Sequence, residues 1–75
     1  MILAVYTKNK TKDKWLLYSL AESMERAKKQ ARFYVNRAKK IGYDEATSVI
    51  QGFETAASIP KNLGEEIKPE KLLWS

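Results

Sequence analysis

Two apolar runs occupy most of the first 20 residues, and they are apolar on both faces. The runs extend from Ile2 to Lys8 and from Lys14 to Leu20, and the wholly polar stretch from Asn9 to Asp13 separates them. Runs of branched and aromatic residues around a short polar loop predict a β-hairpin. Alternation assigns the side chains to two faces, with Leu3, Val5, Leu16, Tyr18 and Leu20 on one and Ala4, Tyr6, Trp15, Leu17 and Ser19 on the other. A sheet built on this hairpin therefore needs a cover on both sides.

The chain has few means other than a packed core to hold such a sheet together. Its 75 residues contain no cysteine and no histidine, which excludes disulfides, thiolate metal sites, cysteine nucleophiles and the usual general base. The three glycines, Gly42, Gly52 and Gly64, are too far apart for a phosphate-binding loop. A domain of this size also has little room for a cleft that excludes water. We therefore expect no metal, no cofactor and no enzymatic activity.

The segment after the hairpin has the pattern of an amphipathic helix. Ser23 is suited to be its N-cap, with Glu25 in the first turn, and Gly42 is suited to follow its last residue. The Ser19 to Glu22 segment also matches a capping box, which would start the helix one turn earlier, and Ser23 is the preferred start. Apolar residues recur at spacings of three and four: Met24, Ala27, Ala31, Tyr34, Val35, Ala38 and Ile41.

The segment from Asp44 to Ser58 carries two conflicting signals. Its branched residues and the central Gly52 favour a strand. Its apolar residues also recur at helical spacing, with Asp44 as a ready N-cap. Because a lone hairpin is only marginally stable and a third strand would complete the sheet, we expect a strand over about residues 46 to 54 and a helical turn near 55 to 58.

These elements predict an α+β fold. It consists of a small three-stranded antiparallel-type sheet in ββαβ order, with one amphipathic helix on one face and a C-terminal tail. The domain covers residues 1–60, and residues 61–75 form a tail that packs on the domain or on a partner. Pro69 is suited to begin one short helical turn that presents Leu72, Leu73 and Trp74.

The single helix leaves the second face of the sheet to be explained. Tyr6, Trp15 and Leu17 lie on that face near a lysine-bearing loop, and exposed faces of this composition bind single-stranded nucleic acid. Burial is the preferred interpretation, because a second apolar face has to be closed. It predicts either a wrapped tail or a homodimer through this face.

The positive charge of the chain is concentrated on the predicted helix. The whole chain carries 14 basic and 9 acidic residues, a net charge of +5. Residues 24–41 hold seven bases and one acid, a net charge of +6, so the remainder is slightly acidic. At about 100° per residue, the side opposite the apolar stripe gathers a candidate binding surface of Arg26, Lys29, Phe33, Asn36, Arg37 and Lys40. The loop residues Lys10, Lys12 and Lys14 are a secondary candidate contact.

Cations around an outward-facing ring are typical of a contact surface. We expect a small binding or regulatory module that holds nucleic acid through its phosphates, without reading the sequence. The alternative is a protein-interaction module, an inhibitor or accessory subunit, that docks on an acidic partner. A third interpretation is that the charged face contacts only solvent, since runs of charged residues often do no more than this. No segment is suited to a membrane or a signal peptide, and the expected location is cytoplasmic.

Overall fold

The computed structural model describes residues 1–8, 15–62 and 72–74. The elements are β1 (Ile2–Lys8), β2 (Leu16–Ala21), α1 (Met24–Lys40), β3 (Thr47–Phe53), a 3-10 turn (Ala56–Ser58) and β4 (Leu72–Trp74). The strands form one sheet in the order β2-β1-β3-β4, with every neighbouring pair antiparallel. The predicted three-stranded sheet in ββαβ order with one helix is confirmed. The strand and short helical turn expected within residues 46–58 are confirmed as well.

The strand β1 lies in the middle of the sheet and is buried on both faces. Ala4, Val5 and Tyr6 have no exposed surface at all. Leu3 and Val5 pack towards the helix, where they meet Ala27 and Ala31. A strand that is buried on both faces has apolar residues at consecutive positions, and the first residues of the chain show this pattern.

The helix α1 crosses β1 because it joins two strands that flank it. It starts at Ser23, whose Oγ accepts a hydrogen bond from the Arg26 N–H at 3.3 Å. The earlier start at Ser19 does not occur, since β2 continues to Ala21. The helix is buried through its alanines, Ala27, Ala31 and Ala38. These small side chains let the helix axis approach the sheet closely.

The C-terminal end of α1 closes in a Schellman motif. The Tyr43 N–H donates to the Ala38 carbonyl at 2.9 Å, and the Gly42 N–H donates to the Lys39 carbonyl at 3.2 Å. Gly42 has a φ of 111°, in the region that side chains disfavour. The glycine predicted after the helix therefore reverses the chain and brings Tyr43 back beside the last turn.

A β-bulge in β2 changes which side chains face the helix. The partner of Val5 is Ser19 and the partner of Tyr6 is Leu17, so Tyr18 is an extra residue. Strict alternation placed Ser19 with Trp15 and Leu17, and this prediction is wrong. The Ser19 Oγ instead donates to Gln30 Oε1 on the helix at 2.6 Å.

Leu20 was likewise assigned to the face of the helix, and the bulge moves it to the other face. Its partner in the sheet is Ala4, which belongs to the cluster on the side opposite the helix. Residues that pair directly across two strands share a face. An alternation rule cannot anticipate this exchange, because one extra residue reverses every side chain beyond it.

The chain that follows β3 covers the second face of the sheet. The Tyr6 hydroxyl donates to the Pro60 carbonyl at 2.7 Å, and the Leu17 N–H donates to the Lys61 carbonyl at 2.9 Å. Ile59 packs against the cluster of this face, which consists of Ala4, Tyr6, Trp15, Val49 and Phe53, all buried. The preferred interpretation of a buried face therefore agrees with the structure. A homodimer stays a prediction, and the five residues of this cluster are buried within a single chain.

The described parts of the C-terminal tail pair with the sheet. Asn62 forms a β-bridge with Leu16 at one edge, whereas β4 pairs with β3 at the opposite edge. Residues 72–74, which the expected helical turn was to present, form the strand β4, and the turn itself lies outside the described residues. The predicted loop contacts Lys10, Lys12 and Lys14, and Pro69, lie outside the described residues.

The Tyr6 hydroxyl fastens the covering segment to the sheet, and its loss is measurable. Burial raises the pKa of Tyr6 from 10.0 to about 12. The raised pKa means that the folded state favours the neutral phenol of Tyr6. The contribution of this phenol to the free energy of unfolding is therefore complete below about pH 10 and is lost as the pH rises towards 12. We expect Tyr6→Phe to lower the free energy of unfolding by about 1 kcal/mol at pH 7. It should also flatten the alkaline loss of stability, measured by urea unfolding over a pH series.

The matched control for this variant is Tyr18→Phe, which removes a hydroxyl from a tyrosine that is 41% exposed. It should leave both the stability and its alkaline dependence as they are. Equal losses in the two variants would show that the Pro60 contact does not stabilise the fold.

The Gly42 turn gives a second prediction. A Cβ at this position would meet no atom within 4 Å, so the cost of a substitution comes from the backbone alone. We expect Gly42→Ala to lower the Tm by about 4 to 8 °C, the effect of about 1 kcal/mol in a domain of this size. Gly42→Asn should lower it less, since asparagine tolerates a positive φ better than alanine. Equal Tm values for all three proteins in thermal unfolding would contradict a strained turn.

Candidate functional site

The exposed surface of α1 is rich in cations. Seven basic residues lie on it: Arg26, Lys28, Lys29, Arg32, Arg37, Lys39 and Lys40. Within residues 1–8, 15–62 and 72–74, none of them forms an ion pair with a carboxylate. Glu25 is the one acidic residue of the helix. Charges without partners repel one another, and an anionic ligand would relieve that repulsion.

These cations fall on two flanks of the helix. Helical periodicity places Arg26, Lys29, Arg37 and Lys40 on the flank that faces β2. It places Lys28, Arg32 and Lys39 on the flank towards β3. The two sets differ in what accompanies them, because the flank facing β2 also carries Phe33.

Two neighbouring cavities form a groove between α1 and β2, which we call the aromatic groove. The first, of about 490 Å³, is lined by Tyr18, Ser23, Glu25, Arg26, Lys29, Gln30 and Phe33. The second, of about 380 Å³, is lined by Tyr18, Phe33, Tyr34, Arg37, Ala38, Ile41 and Tyr43. Because Tyr18 and Phe33 line both cavities, the two join at these rings. The groove thus has an aromatic centre and three cations along its rim.

The side chains at the floor of the groove are held in place. The rings of Tyr18 and Tyr34 meet edge to face, with centroids 5.2 Å apart and an angle of 62°. Next to them, Gln30 Oε1 accepts the Ser19 hydroxyl. Tyr18 faces the helix as alternation predicts, and the bulge adds Ser19 beside it, so the Ser19–Gln30 contact depends on the bulge.

The groove exposes an unusual amount of apolar surface. Phe33 is 57% exposed, Ile41 69% and Tyr43 39%. Single apolar residues at a surface need no explanation, but a contiguous group rimmed by charge indicates a contact site. All three residues line the second cavity and Phe33 also lines the first, so apolar area and positive charge belong to the same site.

The structure brings together four of the six residues predicted on the helix. Arg26, Lys29, Phe33 and Arg37 line the aromatic groove. Asn36 and Lys40 are exposed on the helix but do not line it. The predicted outward orientation of the Phe33 ring agrees with its exposure. The binding role of all six residues stays a prediction.

Sequence reasoning missed the residues that complete the groove from outside the cationic stripe. Tyr18 lies on the helix face as alternation predicts, but no local pattern shows that it stands beside the cationic flank of α1. Gln30 lies on the helix, and its bond to Ser19 depends on the bulge of β2. The position of Tyr43 could have been predicted from Gly42, because the residue that follows a helix-terminating glycine often packs back on the last turn. We add Tyr18, Gln30 and Tyr43 to the candidate site on this geometry.

The rest of the described chain offers little other chemistry. No group of three acidic side chains among these residues is placed to hold a metal ion. None of the helices in the described part of the chain is both long and apolar enough to span a membrane. Ser48 and Gln51 are buried with their side-chain polar atoms unpaired in the same part of the chain, and neither residue lines the aromatic groove.

No protein-family model, no curated protein and no solved structure matches the chain. The function of the aromatic groove is therefore inferred from its own geometry and charge.

Proposed function

We propose that this protein is a small nucleic-acid-binding module that holds the phosphate backbone with the flank of α1 facing β2. The observation that supports the proposal is a row of cations, Arg26, Lys29 and Arg37, without carboxylate partners among the described residues and beside an exposed ring. Nucleic acid combines dense negative charge with flat apolar bases, and the groove has a counterpart for each.

The cations are spaced for contacts with several phosphates of one strand. At 1.5 Å per residue, the distance along the helix from Arg26 to Arg37 is about 16 Å. Arginine binds phosphate oxygens with two parallel N–H donors, whereas Lys29 supplies a point charge between the two. Contacts of this kind carry no base information, so binding is independent of sequence. The proposal includes a cytoplasmic location.

A second candidate function is docking on an acidic protein. The end of the groove near Arg37 favours it, because Ile41 and Tyr43 offer apolar area there for an anchoring side chain. The two functions differ in a measurable way. A nucleic acid releases condensed counterions when it binds, and a folded acidic protein releases far fewer.

Charge reversal on the two flanks of the helix tests the proposal. We expect the logarithm of the binding constant to fall linearly with the logarithm of salt concentration, by about 0.9 for each phosphate neutralised on a duplex. Arg37→Glu should reduce that slope by about one and weaken binding roughly tenfold at low salt for all sequences alike. Fluorescence anisotropy of labelled oligonucleotides at several salt concentrations measures both quantities.

Arg32→Glu is the matched control, because it makes the same charge change on the other flank of the same helix. It should leave the salt slope as it is, with only a small loss of affinity from the lower net charge. The proposal fails if the protein binds no oligonucleotide at low salt, or if the affinity does not respond to salt. Equal effects of the two variants would show that net charge alone attracts the ligand.

A further inference from the structure

We infer that the aromatic groove selects single-stranded over double-stranded nucleic acid, by stacking unpaired bases on Phe33 and Tyr18. This inference rests on the proposed function and deepens it. Phosphate contacts alone do not distinguish the two forms, since both present a charged backbone. The distinction comes from the rings, because a base exposes its face only when it has left the stack.

The placement of the rings relative to the cations supports this choice of ligand. Phe33 and Tyr18 lie where the two cavities join, and the cations lie at the rim. A single strand that follows the rim can keep its phosphates at the cations and turn its bases inwards. In a duplex the bases point towards the other strand, so the same phosphate contacts would leave the rings uncovered.

The apolar area of the groove fits bases better than it fits an acidic peptide. Carboxylate side chains would satisfy the cations, but they offer nothing flat to the half-exposed rings. Every base has a π-face, and stacking on an aromatic ring stabilises binding whatever the base. The one carboxylate in the groove, Glu25, lies in the first cavity with Arg26 and Lys29, so that cavity still carries a net positive charge.

Contacts within the protein prepare the groove for a flat ligand. The edge of one ring meets the face of the other in the Tyr18–Tyr34 pair, which restricts the Tyr18 ring before a ligand arrives. Less side-chain entropy is then lost on binding. The second cavity continues past Tyr34 to Tyr43, which the Schellman motif holds beside the last helical turn.

The floor of the first cavity also offers a hydrogen-bond donor to a base edge. Gln30 uses its Oε1 to accept the Ser19 hydroxyl, and this bond orients the amide. Its Nε2 group has no hydrogen-bond partner among the described residues, and Gln30 lines the cavity. Carbonyl oxygens of thymine, uracil, cytosine and guanine accept such a donor. A single contact of this kind favours these bases over adenine only slightly, in keeping with binding to all sequences.

Removal of the Phe33 ring separates stacking from charge. The probes are an oligothymidylate strand and a blunt mixed-sequence duplex of the same length, titrated by fluorescence anisotropy at one low salt concentration. We expect the wild-type protein to bind the single strand more tightly. Phe33→Ala should weaken single-strand binding roughly 5- to 100-fold, the range of one base–aromatic stack, and change duplex binding less than about twofold.

Three further variants make the result specific. Phe33→Tyr keeps a ring and should keep the preference for the single strand. Leu16→Ala removes a side chain that is 40% exposed and lines neither cavity of the groove, and it should change nothing. Arg37→Glu removes a rim cation and should weaken both ligands. Circular dichroism shows whether each variant retains the fold, and Phe33→Leu replaces the alanine variant if that one unfolds.

The outcomes separate the inference from the proposed function. Equal affinity of the wild-type protein for both probes, or an equal loss for both in Phe33→Ala, overturns the stacking site and leaves a phosphate-binding helix. No binding to either probe overturns both. Tighter binding of a polyglutamate peptide than of the single strand also overturns both, in favour of an acidic protein partner.

Discussion

Burial of β1 on both faces is the constraint on which the rest of the structure depends. A strand with no exposed surface at Ala4, Val5 and Tyr6 has to be covered twice, and a chain of 75 residues has little material for two layers. The molecule meets this need with one helix on one face and a short extended segment on the other. Among the described residues, few contacts hold this second layer: the Tyr6–Pro60 hydrogen bond, the backbone bond from Leu17 to Lys61 and the packing of Ile59.

The cover of the first face also shapes the candidate site. A helix that packs through alanines uses a narrow part of its circumference for the core, which leaves both flanks for other purposes. On one side the flank stands beside β2, which supplies Tyr18 and, through its bulge, an anchor for Gln30. The groove is thus a product of two features that stabilise the fold, the close helix and the irregular edge strand. The cations at the rim take no part in the core.

Local sequence patterns predicted most of the fold. The parts that they did not predict depend on contacts between residues distant in sequence. The helix limits follow from Ser23 and Gly42, and the strand β3 follows from its branched residues, even though its apolar spacing also suited a helix. The segment that crosses at Pro60 and the pairing of β4 are contacts between residues distant in sequence, with no local signal. The candidate site divides in the same way. The helix stripe could be read from periodicity, whereas the Ser19 anchor of Gln30 required a strand register that the bulge shifts by one residue.

The alanine stripe of α1 also makes the candidate site sensitive to the length of the helix. An insertion of one residue between Lys29 and Phe33 would rotate everything after it by about 100°. Ala38 would leave the sheet and Arg37 would leave the rim in the same event. We therefore expect descendants of a common ancestor with this fold to keep the number of residues between Ala27 and Ala38. Insertions and deletions within the helix would be accepted only near its ends, where they leave the spacing of Ala27, Ala31 and Ala38 unchanged.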